Sequence, residues 1–159
     1  MKRVLTVVAV ALLAVVGASS LQAQGNAVVG TWKLNLTKTK LESGPAPKSL
    51  TRKVEAQGDG LKYSFEGVAA DGKPLSYGFS VKFDGKDYPI TGSMPSGADS
   101  ISAKKMDGNN YEATLKKGGK VIGTSKVTVS TDGKVTTVDA TSTNAAGAKT
   151  HDVQVYDKQ

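Results

Sequence analysis

The sequence predicts an all-β protein, an up-and-down antiparallel meander that closes into a barrel of about eight to ten strands. Two observations carry this prediction. Glycine-containing turns recur roughly every dozen residues, and the segments between them alternate apolar and polar residues. Such turns supply the positive φ values of tight hairpins, so each joins two antiparallel neighbours. The turns are Gly58-Asp59-Gly60, Asp71-Gly72-Lys73, Asp84-Gly85-Lys86, Asp107-Gly108-Asn109, Gly118-Gly119-Lys120 and Asp132-Gly133-Lys134.

The alternation is clearest in the middle of the chain. Leu61, Tyr63 and Phe65 alternate with polar residues, which predicts a strand with one apolar face. Other segments, such as the one from Val121 to Val129, are rich in the β-branched residues that favour a pleated sheet. In chain order, the predicted strands are Val28–Leu36, Leu50–Ala56, Leu61–Glu66, Leu75–Phe83, Tyr88–Thr91, Ser100–Met106, Tyr111–Lys116, Val121–Val129, Val135–Thr143 and Thr150–Asp157.

The mature chain shows no convincing helical periodicity. The one candidate, Thr37 to Ser43, runs into Gly44-Pro45-Ala46-Pro47, which ends any helix early. A sheet of this many strands has two open edges unless it curls round on itself. We expect a closed barrel and not a sandwich, because consecutive hairpins dominate and long crossovers are missing.

The N-terminus has the layout of a secretory signal peptide. Two basic residues precede the apolar run Val4 to Val16, and small residues lead to a cleavage site after Ala23. The apolar run is shorter than the ~20 residues that a membrane-spanning helix needs. We therefore predict an exported, periplasmic or secreted protein that does not span the membrane after cleavage, with a signal peptide over residues 1–23 and one barrel domain over residues 24–159.

The composition excludes several classes of function. There is no cysteine, so the exported chain has no disulfide and is held by its core alone. The formal net charge is +7, but the basic residues are spread thinly, and after cleavage Arg52 is the only arginine. Nucleic-acid binding needs clustered Lys and Arg with interleaved aromatic residues. We therefore expect no nucleic-acid partner.

The residues that catalysis or metal binding requires are also missing. His151 is the only histidine, and its neighbour Asp152 points to the opposite face of a strand, so the two do not form a base and its orienter. The Asp-Gly turns lack the spaced oxygen ligands of a calcium loop. We predict no enzymatic activity, no metal site and no cofactor.

Several aromatic residues fall on one face of neighbouring hairpin strands, and they leave two alternatives open. The rings either fill the barrel or line a cavity in which tyrosine hydroxyls anchor an amphipathic ligand. The many Ala, Ser and Gly residues indicate incomplete filling. The aromatic residues are Tyr63, Phe65, Tyr77, Phe79, Phe83 and Tyr88.

Both ends of the mature chain resemble known barrel families. Gly30-Thr31-Trp32 resembles the Gly-x-Trp motif on the first strand of lipocalins, and VGTWKL, from Val29 to Leu34, is still more similar to the start of intracellular fatty-acid-binding proteins. The C-terminal VQVYDKQ, Val153 to Gln159, resembles the last strand of the latter family. The resemblance implies a calycin barrel in which Gly30 and Trp32 form a structural plug at the narrow end.

The sequence departs from these families at the sites where they bind ligands. In fatty-acid-binding proteins an arginine and a tyrosine, two residues apart on the last strand, hold the ligand carboxylate. Here the matching residues are Gln154 and Tyr156, and glutamine cannot make the charge-assisted, forked contact of arginine. Neither the helical lid of that family nor the arginine that packs on the lipocalin tryptophan can be placed in this sequence.

These observations predict an exported, non-catalytic barrel that binds a small hydrophobic or amphipathic ligand in its interior. The alternative is a structural or protein-interaction barrel with a filled core and no ligand. The candidate ligand-binding residues are Tyr63, Phe65, Tyr77, Phe79, Gln154 and Tyr156.

Overall fold

The computed structural model describes residues 27–144 and 146–159, and this part of the chain forms ten strands and no helix. The predicted signal peptide, residues 1–23, lies outside the described residues. The strands are β1 (Gly30–Leu34), β2 (Ser49–Gln57), β3 (Gly60–Val68), β4 (Pro74–Lys82), β5 (Tyr88–Gly92), β6 (Ser100–Asp107), β7 (Asn110–Lys117), β8 (Lys120–Val129), β9 (Val135–Thr143) and β10 (Lys149–Lys158).

All ten strands belong to one closed antiparallel barrel. Each strand pairs with its neighbours in sequence, and β1 closes the barrel because it pairs with both β2 and β10. At this closure Trp32 lies opposite Arg52 of β2 and opposite Lys158 of β10. The predicted meander barrel is confirmed, with ten strands at closure.

The predicted glycine turns join consecutive strands of the meander. The aspartates of these turns hydrogen-bond to the backbone two residues later, which stabilises the turn. The Asp84 carboxylate accepts a hydrogen bond from the backbone N–H of Lys86 at 3.0 Å, and the Asp132 carboxylate accepts one from that of Lys134 at 3.0 Å. The bond from Lys86 lowers the pKa of Asp84 below its usual range. The recurrence of Asp-Gly thus follows from hairpin construction.

One strand is only weakly joined to the wall of the barrel. β5 pairs with β4 over three residue pairs and with β6 over two. Beyond the end of β4, Asp84 forms a bridge with Lys104 of β6. β5 is therefore a short strand inserted between β4 and β6, and these two strands contact each other directly beyond one end of it.

Trp32 packs against Val28 in the core of the barrel. The Trp32 side chain is fully buried, and its indole Nε1–H donates a hydrogen bond to the Val28 carbonyl at 2.8 Å. The segment just before β1 therefore folds back against the indole ring, whose polar N–H is satisfied within the core. The apolar core around it consists of Val28, Leu34, Leu50, Val54, Leu61, Phe65, Tyr111, Val129 and Tyr156.

Gly30 adopts a backbone conformation that favours glycine, with φ of +137°. A Cβ atom there would lie 2.7 Å from Cε of Lys158. The space that the missing side chain leaves beside Trp32 is thus taken by a lysine side chain from the last strand.

The mouth segment, residues 35–48 between β1 and β2, lies at the end of the barrel opposite Val28. It contains no helix, and its first part pairs with the backbone of β10. The buried Asp152 carboxylate accepts hydrogen bonds from the backbone N–H groups of Glu42 at 2.8 Å and Ser43 at 2.9 Å, and from the Ser43 hydroxyl. A coil tied to β10 thus takes the place of the helical lid that the resemblance implies.

His151 lies on the outer surface and its neighbour Asp152 is buried, in agreement with the predicted alternation of the last strand. Its Nε2 atom lies 2.9 Å from Oδ1 of Asp139 on β9, and both side chains are exposed. This hydrogen bond and the charge of Asp139 raise the pKa of His151 above its usual value.

Replacing Gly67 should destabilise the sheet. A Cβ atom at this position would lie 2.1 Å from the Ser49 carbonyl oxygen, so Gly67→Ala should lower the free energy of unfolding by about 1–3 kcal/mol. Gly108→Ala is the control, because a Cβ there meets no atom within 4 Å. Urea denaturation measures both variants, and equal stabilities would contradict this account.

Replacing Trp32 should also lower stability. Trp32→Phe leaves the Val28 carbonyl without its indole donor and leaves unfilled volume, so we expect a loss of about 2–3 kcal/mol. The control is Tyr88→Phe, which removes an exposed hydroxyl bonded to Asp84. Unfolding curves followed by circular dichroism compare the two, and a Trp32→Phe variant as stable as the control would be inconsistent with a plug.

The His151 pair should produce a small dependence of stability on pH. The pKa of His151 is raised in the folded state. The pair therefore stabilises the folded protein fully below the pKa of unfolded histidine, about 6.5. This stabilisation is lost as the pH rises through the folded-state pKa. Asp139→Asn should return the His151 pKa towards its ordinary value, as an NMR titration of the single imidazole would reveal. Asp132→Asn should leave that pKa unchanged, since Asp132 bonds within its own turn.

Candidate functional site

The four aromatic residues predicted on β3 and β4 come together on the inner wall of the barrel. Phe65 and Tyr77 are paired in register, with ring centroids 4.5 Å apart and planes 9° apart. Tyr63 and Phe79 form the next pair, with centroids 4.8 Å apart. We call these four side chains the aromatic wall.

The aromatic wall lies on the inner face of the sheet and is only partly covered by other side chains. Its side chains face inward, because Phe65 lies opposite the buried Arg52 in the ladder. Yet Tyr63, Tyr77 and Phe79 are only half-buried. Burial raises the pKa of Tyr63 to about 12 and raises that of Tyr77 as well, so both hydroxyls are neutral at physiological pH and can donate or accept hydrogen bonds.

The opposite side of the interior carries small side chains. Ala113 of β7, Ser125 of β8 and Ala140 of β9 follow one another in register, and all three are half-buried. These residues lie across the barrel from the aromatic wall. Because their side chains are small, they occupy little of the volume in the middle of the interior. The packed core surrounds Trp32, and the side chains on this side of the interior are small.

Arg52 is a residue of this site that the sequence analysis did not select. It lies between Leu50 and Val54 on the inner face of β2 and is 3% exposed. Its guanidinium carbon lies 4.4 Å from the centroid of the Tyr156 ring and 5.4 Å from that of Trp32. Burial lowers the pKa of Arg52, but a guanidinium stays protonated in proteins.

The strict alternation of Leu50, Arg52 and Val54 was the signal for this inward position. Arginine is seldom buried unless it is paired, so the residue type argues against the inward position that the alternation indicates. The guanidinium contacts are of the cation–π type, and the atoms Nε and Nη2 have no hydrogen-bond partner among the described residues.

Gln154 and Tyr156 lie together on the inner face of β10. The Tyr156 hydroxyl donates to Oε1 of Gln154 at 2.8 Å. Tyr156 is fully buried, which raises its pKa to about 12, whereas Gln154 is half-buried. The Tyr156 hydroxyl is thus hydrogen-bonded to a residue of its own strand, while the face of the Tyr156 ring packs against the Arg52 guanidinium.

Two cations contact the Trp32 ring. Besides Arg52, Nζ of Lys158 on the last strand lies 5.1 Å from the ring centroid. The packing of a cation on the tryptophan, which the resemblance implied and the sequence did not locate, is therefore supplied by Lys158 from β10 and Arg52 from β2. Both contacts follow from the register at the closure of the barrel.

A concavity of about 540 Å³ is confined to β3, β4 and β5. Its lining includes the aromatic wall together with outward-facing residues of the same strands, such as Lys62 and Glu66, and no residue of β2 or of β6 to β10. It is thus a feature of the β3–β5 side of the barrel, and the aromatic wall forms part of its lining.

The described part of the chain contains no cluster of three or more His, Asp or Glu side chains that could hold a metal ion. No helix among the described residues is long and apolar enough to cross a membrane.

Comparison with known proteins supports the fold. No protein-family model and no curated protein matches the chain. Among solved structures, the zebrafish ileal bile acid-binding protein in complex with cholic acid matches with a TM-score of 0.53 and 15% identity, over 84% of this chain and 99% of that chain. Lobster apocrustacyanin A1 matches with a TM-score of 0.45 and 12% identity, over 87% of this chain and 64% of that chain. The first of these matches shows that the chain has the same barrel fold as that protein.

Proposed function

We propose that the protein is a non-catalytic barrel that takes up one small hydrophobic or amphipathic molecule in its interior. The observation that carries this proposal is the half-burial of inward-facing aromatic rings. A ring that faces the inside of a closed barrel and still contacts solvent is a surface that an apolar ligand can cover. Covering it would contribute about 25 cal/mol for each Å² of apolar area.

The fold is consistent with this role. The zebrafish protein of the same fold was solved with cholic acid, and closed barrels of this size enclose either packed side chains or one small ligand. In the present chain the packed core surrounds Trp32 and Tyr156, and the small side chains of β7 to β9 leave the middle of the barrel wider. The alternative is a fully packed barrel without a ligand, and dye binding distinguishes the two.

The proposal includes export and the lack of catalysis. Export rests on the signal-peptide pattern of residues 1–23. The lack of catalysis rests on the position of His151, whose ring pairs with Asp139 on the outer surface, away from the enclosed space. The buried Asp152 carboxylate is engaged by the mouth segment, and the other polar groups of the interior are hydroxyl, amide and guanidinium groups, which suit recognition better than acid–base chemistry.

Ligand binding can be tested with an uncharged fluorescent dye, N-phenyl-1-naphthylamine. The mature protein should bind it with a saturable fluorescence increase, and Phe79→Leu should weaken that binding about tenfold because it removes one ring of the aromatic wall. Ser80→Ala is the matched control, since this neighbouring side chain of β4 is exposed and should leave the affinity unchanged.

The same experiment separates binding from stability. Urea denaturation of Phe79→Leu gives its loss of folding free energy, and titration at a temperature where the variant is fully folded gives the dye affinity. No saturable signal from the wild-type protein, together with no molecule in an organic extract of protein purified from its host, would establish the filled barrel instead.

A further inference from the structure

The hairpins of this barrel contain a chemically reactive pair of residues, aspartate followed by glycine. The backbone nitrogen of the glycine can attack the side-chain carboxyl group of the aspartate, because no Cβ atom hinders its approach. The attack forms a cyclic succinimide and releases water. The pair occurs five times, as Asp59-Gly60, Asp71-Gly72, Asp84-Gly85, Asp107-Gly108 and Asp132-Gly133.

The attacking nitrogen is held by the backbone in most of these pairs. The N–H groups of Gly72, Gly85 and Gly133 donate hydrogen bonds to backbone carbonyls at 3.0, 3.0 and 2.8 Å. Gly60 is the first residue of β3 and belongs to the ladder between β2 and β3. Gly108 differs, because no carbonyl among the described residues accepts a hydrogen bond from its N–H.

The carboxylates of the same four pairs are held as well. Asp71, Asp84 and Asp132 each accept a hydrogen bond at 3.0 Å from the backbone N–H two residues later, and Asp59 pairs with Lys82 at 2.9 Å. Hydrogen bonds lower the pKa of all four aspartates. The attack requires the neutral carboxyl group, so these bonds oppose it by position and by charge.

Asp107 is held more loosely than these four aspartates. Its carboxylate accepts a hydrogen bond from Nδ2 of Asn110 and none from a backbone N–H in the described part of the chain. Asp107 and Gly108 are both exposed, and a Cβ atom at Gly108 would meet no atom within 4 Å. The ladder between β6 and β7 also shifts its register between Lys105 and Asp107. In this turn the backbone fixes neither of the two reacting groups.

We infer that Asp107 is a site of spontaneous modification, at which the folded protein forms a succinimide with Gly108 and then an isoaspartyl residue. The Gly108 nitrogen loses its proton and bonds to Cγ of Asp107, and the carboxyl hydroxyl leaves with a proton as water. A second water molecule then opens the ring at the main-chain carbonyl. The main chain now runs through Cβ and Cγ, and the α-carboxylate is free.

The product has the mass and the formal charge of the original residue, but its main chain is longer by one methylene group. The extra group lies between β6 and β7, beside the register shift of their ladder. This inference is independent of ligand binding, because the turn lies at the end of the barrel opposite the mouth segment.

Peptide mapping of the incubated protein tests this assignment. The mature protein is kept in neutral buffer for several weeks and digested with trypsin, and electron-transfer fragmentation in a mass spectrometer measures isoaspartate in each peptide. Isoaspartate should form at least about tenfold faster at Asp107 than at the other four pairs, because these must first break their hydrogen bonds. In guanidinium chloride, where the fold is lost, the five rates should agree within about threefold.

Two variants make the test specific. Asp107→Glu keeps the carboxylate, but its longer side chain would have to close a larger and much less favourable ring, so modification of this turn should be lost. Asp132→Glu is the matched control, since it changes a turn whose carboxylate and glycine N–H are both hydrogen-bonded; it should leave the rate at Asp107 unchanged. Urea denaturation verifies that both variants are folded.

Three outcomes would overturn the inference. One is an equal rate at all five pairs of the folded protein, and another is a faster rate at one of the hydrogen-bonded pairs. The third is modification of Asp107 in guanidinium chloride with none in the folded protein, which would show that the fold protects this turn too.

Discussion

The pairing of β1 with β10 is the contact on which the other features of this protein depend. It converts a meander with two open edges into a closed wall, and closure satisfies the backbone groups that an edge strand would expose. It also fixes the surroundings of Trp32, because the register places Arg52 on one side of it and Lys158 on the other. A chain without cysteines relies on this closure and on the core beneath it.

Most of the fold could be predicted because its signals are local. Alternation and Asp-Gly turns are properties of short segments, and they located all ten strands to within a few residues. The aromatic wall was predictable for the same reason: residues two apart share a face, so Tyr63, Phe65, Tyr77 and Phe79 had to meet once β3 and β4 paired. The match with a solved barrel of 15% identity reflects such patterns more than shared residues.

The remaining part of the site depends on contacts that no local pattern encodes. The position of Lys158 over Trp32 requires the register between the first and last strands, which are separated by nearly the whole chain. The alternation of apolar and polar residues in β2 indicates an inward position for Arg52. A charged side chain is rarely buried without a partner, however, so the residue type indicates a surface position. The cations that contact Trp32 are therefore the part of the interior that is hardest to predict from the sequence.

The short pairing of β5 has a consequence for how the barrel fluctuates. A closed sheet opens most easily between the two strands that share the fewest backbone pairs. In this barrel these strands are β5 and β6, which share only two residue pairs. Transient separation at this seam would widen the barrel sideways while the packing around Trp32 stays intact. Local opening of the wall and loss of the packed core around Trp32 are therefore expected to be separate events.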